Sequence, residues 1–159
     1  MQMRIRKAQE TDMPGIDRLL EQVLALHHQG RPDLFRAGRC RKYTDEQLRE
    51  ILQNEQTPVF VATGDMDEVQ GYAFCQFCQH LDDNILTDIK TLYIDDLCVD
   101  ETIRGQHIGK QLYEAVLDFA RENGCYNVTL NVWACNEPAM RFYEACGMKP
   151  QKTGMEIIL

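Results

Sequence analysis

Apolar residues along this chain switch between two periods, and the switches divide it into short strands and helices. Met3 and Ile5 sit two apart and begin a strand. Thr11-Asp12-Met13-Pro14 signals a helix start, with capping residues ahead of a proline in the first turn. Ile16, Leu19, Leu20, Val23 and Leu24 follow at i, i+3, i+4, i+7 and i+8, one face of a helix. From 27 to 43 the pattern breaks around Gly30, Pro32 and Gly38, which predicts a loop or short irregular helix. Thr44 opens a second helix with Leu48, Ile51 and Leu52 inward, and Gln47 three positions on completes a capping box. Strands are expected at 59–62, 69–77, 91–99, 126–133 and 155–159, with turns or loops at 64–67 and 81–88. Helices are expected at 109–123, with Ile108, Leu112, Ala115, Val116 and Phe119 on one side, and at 137–146. Gly124 and Gly147 stop these two helices. The order β-α-α-β-β-β-α-β-α-β predicts an α/β fold, a mixed, mostly antiparallel twisted sheet with helices on both faces.

A chain of 159 residues fits one domain, 1–159, and 44% hydrophobic content suits a packed core. No apolar run approaches the ~20 residues that span a bilayer, so no membrane partner is expected. Met1-Gln2-Met3-Arg4-Ile5-Arg6 lacks the apolar stretch of a secretory signal, which places the protein in the cytosol. Seven cysteines, an odd number, fit a reducing compartment. Cys75 and Cys78 are spaced like a ligand pair. They lie in a strand, however, where residues three apart point to opposite faces, and no second pair accompanies them. They read as thiols, and no metal is expected. The formal net charge of −8 argues against a nucleic-acid partner and is compatible with a cationic small molecule.

Chemistry enters at 104–110. A strand ending at Val99 feeds a turn, and a helix begins there. Unpaired N–H groups at a helix start and the helix dipole favour an anion. Gly105 and Gly109 remove side chains where a ligand must come close, and Arg104 and Lys110 add positive charge. The arrangement suits a diphosphate. The segment Arg104-Gly105-Gln106-His107-Ile108-Gly109 resembles the Gln/Arg-x-x-Gly-x-Gly/Ala signature of the GNAT superfamily of N-acetyltransferases. It is preceded by Asp96-Leu97-Cys98-Val99 and followed by Asn136, Ala139, Phe142-Tyr143 and Gly147, which are also similar to that family. One departure stands out: His107 replaces the signature's first glycine, at a cost if the position needs a positive φ.

The resemblance implies an acetyl-CoA-dependent N-acetyltransferase in which an amine, on a small molecule or a peptide, attacks directly in a ternary complex. It implies that backbone groups of Leu97, Cys98 and Val99 hold the pantetheine arm, that 104–110, including Gln106 and Ile108, hold the diphosphate, and that Asn136 bonds the cofactor. Tyr143 matches the family's general acid. By strand period, Tyr93, Asp95, Leu97 and Val99 share one face and Asp96 the other. On that face Asp95 is the candidate to bind or deprotonate the amine, and Tyr93 is the second candidate. The family walls its acceptor site with the segment after the first helix. Here that segment holds His27, His28, Arg31, Asp33, Arg36, Arg39, Arg41 and Lys42. This basic run suits an acceptor carrying a carboxylate or phosphate, whereas a polyamine suits Asp82, Asp83, Asp95 and Asp96. A reading from another class, an acyl-CoA sensor without turnover, remains open here. The 155–159 strand offers an edge through which a homodimer is possible.

Overall fold

The computed structural model describes residues 3–159; Met1 and Gln2, the start of the N-terminal segment read above, lie outside the described residues. Strand β1 (Arg4–Lys7) leads through a 3-10 turn (Glu10–Asp12) into helix α1 (Met13–Gly30). Helix α2 (Asp45–Gln53), strands β2 (Val59–Thr63), β3 (Val69–Gln79) and β4 (Lys90–Val99), helix α3 (Ile108–Glu122), strand β5 (Asn127–Leu130) and helix α4 (Glu137–Ala145) follow. The sheet order among the described residues is β1-β2-β3-β4-β5. The first three pairings are antiparallel and β4–β5 is parallel. Helices pack on both faces, as expected from the element order.

Each face carries its own core. Met13, Ile16, Leu19 and Leu20 of α1 and Leu48 of α2 close over Val59, Val61, Tyr72, Phe74 and Cys98. Ile108, Leu112, Tyr113, Val116 and Ala120 of α3 close over Phe60, Ala62, Ala73, Cys75, Leu92 and Ile94 on the other face. β2 is buried along its whole length, which explains its unbroken apolar run. The capping box at α2 forms in both directions: Gln47 N–H donates to Thr44 Oγ1 (3.2 Å) and Thr44 N–H to Gln47 Oε1 (2.9 Å). Gly124 and Gly147 adopt φ of 71° and 94°, the left-handed conformation a helix stop needs.

Four expectations are corrected. α1 continues past His27 to Gly30, because nothing before Gly30 and Pro32 breaks it. His27 and His28 occupy the last turn, where the helix dipole favours them, and Arg31 N–H donates to His27 O (2.9 Å). β5 holds four residues rather than the eight of 126–133, because its partner β4 leaves it after Ile94↔Leu130. The 155–159 segment joins no ladder of the described sheet; its side chains stand in solvent. The fourth correction concerns the alternation of β4.

Candidate functional site

β4 does not alternate regularly. Phe74 of β3 faces Asp96, but Cys75, the next residue, faces Ile94, so Asp95 is an extra residue bulged from the ladder. A bulge shifts every later side chain to the opposite face. Leu92 and Ile94 pack with α3, and after the bulge Leu97 and Val99 do so. Tyr93, Asp96 and Cys98 instead pair with Gln76, Phe74 and Tyr72 and share the α1 face. Strict alternation places Asp96 opposite Tyr93, with Asp95 beside it, and the bulge reverses that. Beyond Ile94, β4 keeps β3 on one side and has no strand on the other among the described residues. Asp95 to Val99 thus present a free backbone edge to the gap where β4 and β5 part.

The two adjacent carboxylates have different surroundings. Asp95 is exposed, and Lys42 Nζ lies 3.3 Å from its Oδ2. Asp96 accepts a hydrogen bond of 2.6 Å from the hydroxyl of Tyr72, which is fully buried. Burial pushes the Asp96 carboxyl above the usual carboxylate range, against the opposing pull of Tyr72, Lys42 and His27. Burial pushes the Tyr143 phenol up as well, and Asp96 is its next strongest influence. Asp96 therefore lies within electrostatic reach of Tyr143, although the two arise from opposite faces of the sheet. Tyr143 packs against Phe142 and Tyr113 at ring distances of 5.1 and 6.4 Å. Tyr93 has its hydroxyl held by Asn131 Nδ2 (3.1 Å).

At the end of β4, Asp100 receives N–H donation from Thr102 (3.0 Å) and starts a 3-10 turn (Glu101–Ile103). The chain then passes through Gly105 at φ 92° and His107 at φ 61°, both left-handed. His107 is the N-cap of α3 and provides no capping side-chain hydrogen bond. The first N–H groups of α3 are left for an external acceptor. Gly109 is small for packing as well: a Cβ there would meet Phe142 Cζ at 3.4 Å and Val99 Cγ2 at 3.5 Å. Cys98 is a buried thiol pushed up to about 12 by burial. Asn136 Oδ1 accepts from Ala139 N–H (3.3 Å) and caps α4.

The wall opposite comes from the end of α1 and the segment after it. Phe35 contacts His27 at 4.9 Å and stands edge-on to Trp133 at 5.3 Å, tying this segment to the chain beyond β5. Burial pulls the His27 imidazole below its ordinary value, opposed by Asp96. Tyr43 stacks on Phe74 at 5.8 Å, and Lys42 lies over Tyr43 at 5.3 Å. Much of the basic run is internally neutralised: Arg31 pairs with Asp33 and Glu156, and Arg41 with Asp17 and Asp45. Arg36 and Arg39 pair with no carboxylate among the described residues. Asp95 with Lys42 and Asp96 with Tyr72 form an acidic corner, of which sequence reasoning missed Tyr72. Doubled aspartates give no sign of which one a bulge turns inward.

Comparison with known proteins follows this geometry closely. The family described as "Acetyltransferase (GNAT) family" matches residues 22–148. Glucosamine 6-phosphate N-acetyltransferase of Arabidopsis thaliana is 29% identical over 115 residues, 72% of this chain and 67% of that protein. Thialysine N-epsilon-acetyltransferase of Bos taurus is 34% identical over 58 residues, 36% of this chain and 34% of that protein. A solved mutant of the BH1408 protein from Bacillus halodurans superposes with a TM-score of 0.93 at 31% identity, covering 98% of this chain and 99% of that one.

Proposed function

The chain belongs to the GNAT family of acetyltransferases, and from that premise we propose that it acetylates the primary amine of a small molecule carrying an anionic group. It is an N-acetyltransferase, and GNAT enzymes use acetyl-CoA. The observation that carries the reading is the gap beyond Ile94 and Leu130. There Asp96, held by Tyr72 on one face, lies on the free edge of β4, and its charge helps raise the Tyr143 phenol on the other face.

Acetyl-CoA, when bound, supplies a thioester-activated acetyl group. The residues present fit it. The uncapped start of α3, with Arg104 and Lys110 nearby in sequence, suits the diphosphate. N–H groups from Gln106 to Lys110 would hold it, and the free edge Leu97-Cys98-Val99 suits the amides of the pantetheine arm. An amine has a pKa near ~10 and arrives as ammonium. Asp96, held by Tyr72, receives that ammonium and takes its proton, directly or through water. Its raised pKa makes it a better base than an exposed carboxylate. Tyr143, kept protonated by burial, donates to the departing thiolate. In this scheme Asp95 anchors Lys42, and Tyr93, oriented by Asn131, stands as a reserve polar group on the acceptor side.

Arg36 and Arg39 support an acceptor with a phosphate or carboxylate near its amine. So does the Arabidopsis relative, named for glucosamine 6-phosphate. The test is mass spectrometry of pooled amines after incubation with acetyl-CoA, the pools being amino sugar phosphates, amino acids, aminoglycosides and polyamines. Acetylation of an anion-bearing amine, slowed about ten- to a thousandfold by Tyr143→Phe with acetyl-CoA affinity retained, is expected. Acetylation of polyamines alone contradicts the acceptor class, and unchanged turnover in Tyr143→Phe contradicts the acid.

A further inference from the structure

The corner assigned to the acceptor amine already contains an ammonium. Lys42 Nζ lies 3.3 Å from Asp95 Oδ2 and 5.3 Å from the centre of the Tyr43 ring. Tyr43 in turn stacks on Phe74, whose ladder partner is Asp96. Burial disfavours the Lys42 ammonium, but Asp96 first and Asp95 second outweigh it and hold it above the ordinary lysine value. Lys42 therefore answers to both carboxylates and stays charged at neutral pH.

A surface lysine usually has a mobile stem that leaves its partner freely. Lys42 is held on both sides. Arg41 bridges Asp17 of α1 and Asp45 of α2, and Tyr43 packs against the sheet. Thr44 caps α2 at the next position. The backbone at Lys42 is thus anchored before and after it, and the contact of its ammonium with the Tyr43 ring steadies the stem. Only 34% of its side chain remains exposed.

Charge balance gives this lysine a consequence for the acceptor. Ionised Asp95 and Asp96 carry two negative charges, and Lys42 cancels one. His27, pulled below its ordinary value by burial, adds none at neutral pH. Tyr43 and Tyr72, both pushed up by burial, are neutral there. One ammonium on Asp96 completes the balance. A second meets an aspartate already taken and a like charge beside it, which costs binding. We infer that Lys42 is a specificity-determining residue: it closes Asp95 to a second ammonium, so the site rejects diamines and polyamines and admits amines bearing a single positive charge. The inference rests on the reading that Asp96 receives the acceptor amine, and it deepens that reading by naming what excludes the competing substrate class. Without the lysine charge, two adjacent carboxylates at the bulge form a receptor for a diamine.

The experiment measures kcat/KM by thiol release from acetyl-CoA, with putrescine and with glucosamine 6-phosphate as acceptors. Wild type, Lys42→Met and Lys42→Arg are compared, with circular dichroism confirming that each folds. Lys42→Met keeps an unbranched stem over Tyr43 and removes the charge, whereas Lys42→Arg keeps the charge. With putrescine, kcat/KM is expected to rise about tenfold or more in Lys42→Met and to stay within about threefold of wild type in Lys42→Arg. Adding Asp95→Asn to Lys42→Met is expected to abolish the gain, because the freed carboxylate holds the second ammonium. KM for acetyl-CoA is expected to be unchanged throughout, which separates altered specificity from general damage. Should Lys42→Met fail to fold, Lys42→Gln carries the test. No putrescine gain in a folded variant overturns the inference. If wild type nevertheless acetylates glucosamine 6-phosphate, the acceptor class proposed above stands without it. An equal gain in Lys42→Arg, or a gain that persists after Asp95→Asn, overturns the inference too, because the charge on Asp95 is then not the cause. A wild type that acetylates putrescine faster than glucosamine 6-phosphate overturns both the inference and the acceptor class.

Discussion

Removing the Tyr72 hydroxyl examines the acidic corner without touching either carboxylate. Tyr72→Phe keeps the ring, which is fully buried and edge-on to Phe74 at 5.0 Å, and deletes only the 2.6 Å donation to Asp96. A hydrogen bond to a charged group contributes about 1.5–3 kcal/mol, and one pKa unit corresponds to about 1.4 kcal/mol. Burial already holds Asp96 high, and Tyr72 is the strongest opposing influence. Losing it raises the Asp96 pKa further. If Asp96 must be ionised to receive the ammonium and take its proton, activity falls on the acid side. The acid limb of kcat/KM then moves to higher pH. The assay is thiol release from acetyl-CoA against pH with one acceptor, so that the acceptor's own ionisation is common to both enzymes. Stability falls by about 1–2 kcal/mol for the lost bond, which is about 2–8 °C in Tm for a chain of this size. An acid limb that does not move, in a folded variant, refutes the role given to Asp96.

Asp100 makes a separate pH prediction. Burial alone would raise its carboxyl, but the Thr102 N–H, the Arg18 guanidinium, the Thr102 hydroxyl and Gln22 outweigh burial and hold it at about 2. Its folded pKa lies below the unfolded one, so its stabilisation is complete above about pH 4 and is lost as pH falls toward 2. Discounted for solvent screening, this stabilisation is about 1 kcal/mol, and denaturant titrations of Asp100→Asn against pH should show that loss at neutral pH and a flatter acid limb. His107→Gly removes a left-handed non-glycine residue costing about 1–2 kcal/mol and adds glycine's chain entropy of about 0.5–1 kcal/mol. A net gain of about 0.5–1 kcal/mol in Tm-derived stability is expected, and a loss of that size would show that the His107 ring has a packing role.

Much of the fold is readable in the residues. The Thr44–Gln47 capping box forms both of its hydrogen bonds, and Gly124 and Gly147 stop their helices at positive φ. Local chemistry alone determines such features, so local sequence reports them. The bulge at Asp95 is different. Two adjacent aspartates satisfy either register, and the choice is made by Tyr72, Phe74 and Cys75 on a neighbouring strand. Period-two counting therefore puts the wrong carboxylate beside Tyr93. Asn136, which the resemblance makes a cofactor ligand, also caps α4, a role that its position before Glu137-Pro138 suits. The 155–159 segment is legible as a strand but not as one without a partner in its own sheet. Strand propensity says nothing about whose edge it meets. Arg31 and Arg41 look like acceptor ligands until their carboxylate partners arrive from distant positions.

The central claim is that Asp96, not Asp95, handles the amine opposite Tyr143. Steady-state kinetics of Asp95→Asn and Asp96→Asn, with the best acceptor from the pools, tests it directly. The account predicts a loss of about a hundredfold or more in kcat/KM for Asp96→Asn, and a change within about threefold for Asp95→Asn, whose carboxylate is exposed and screened. The reverse order, or equal small effects from both, would contradict it.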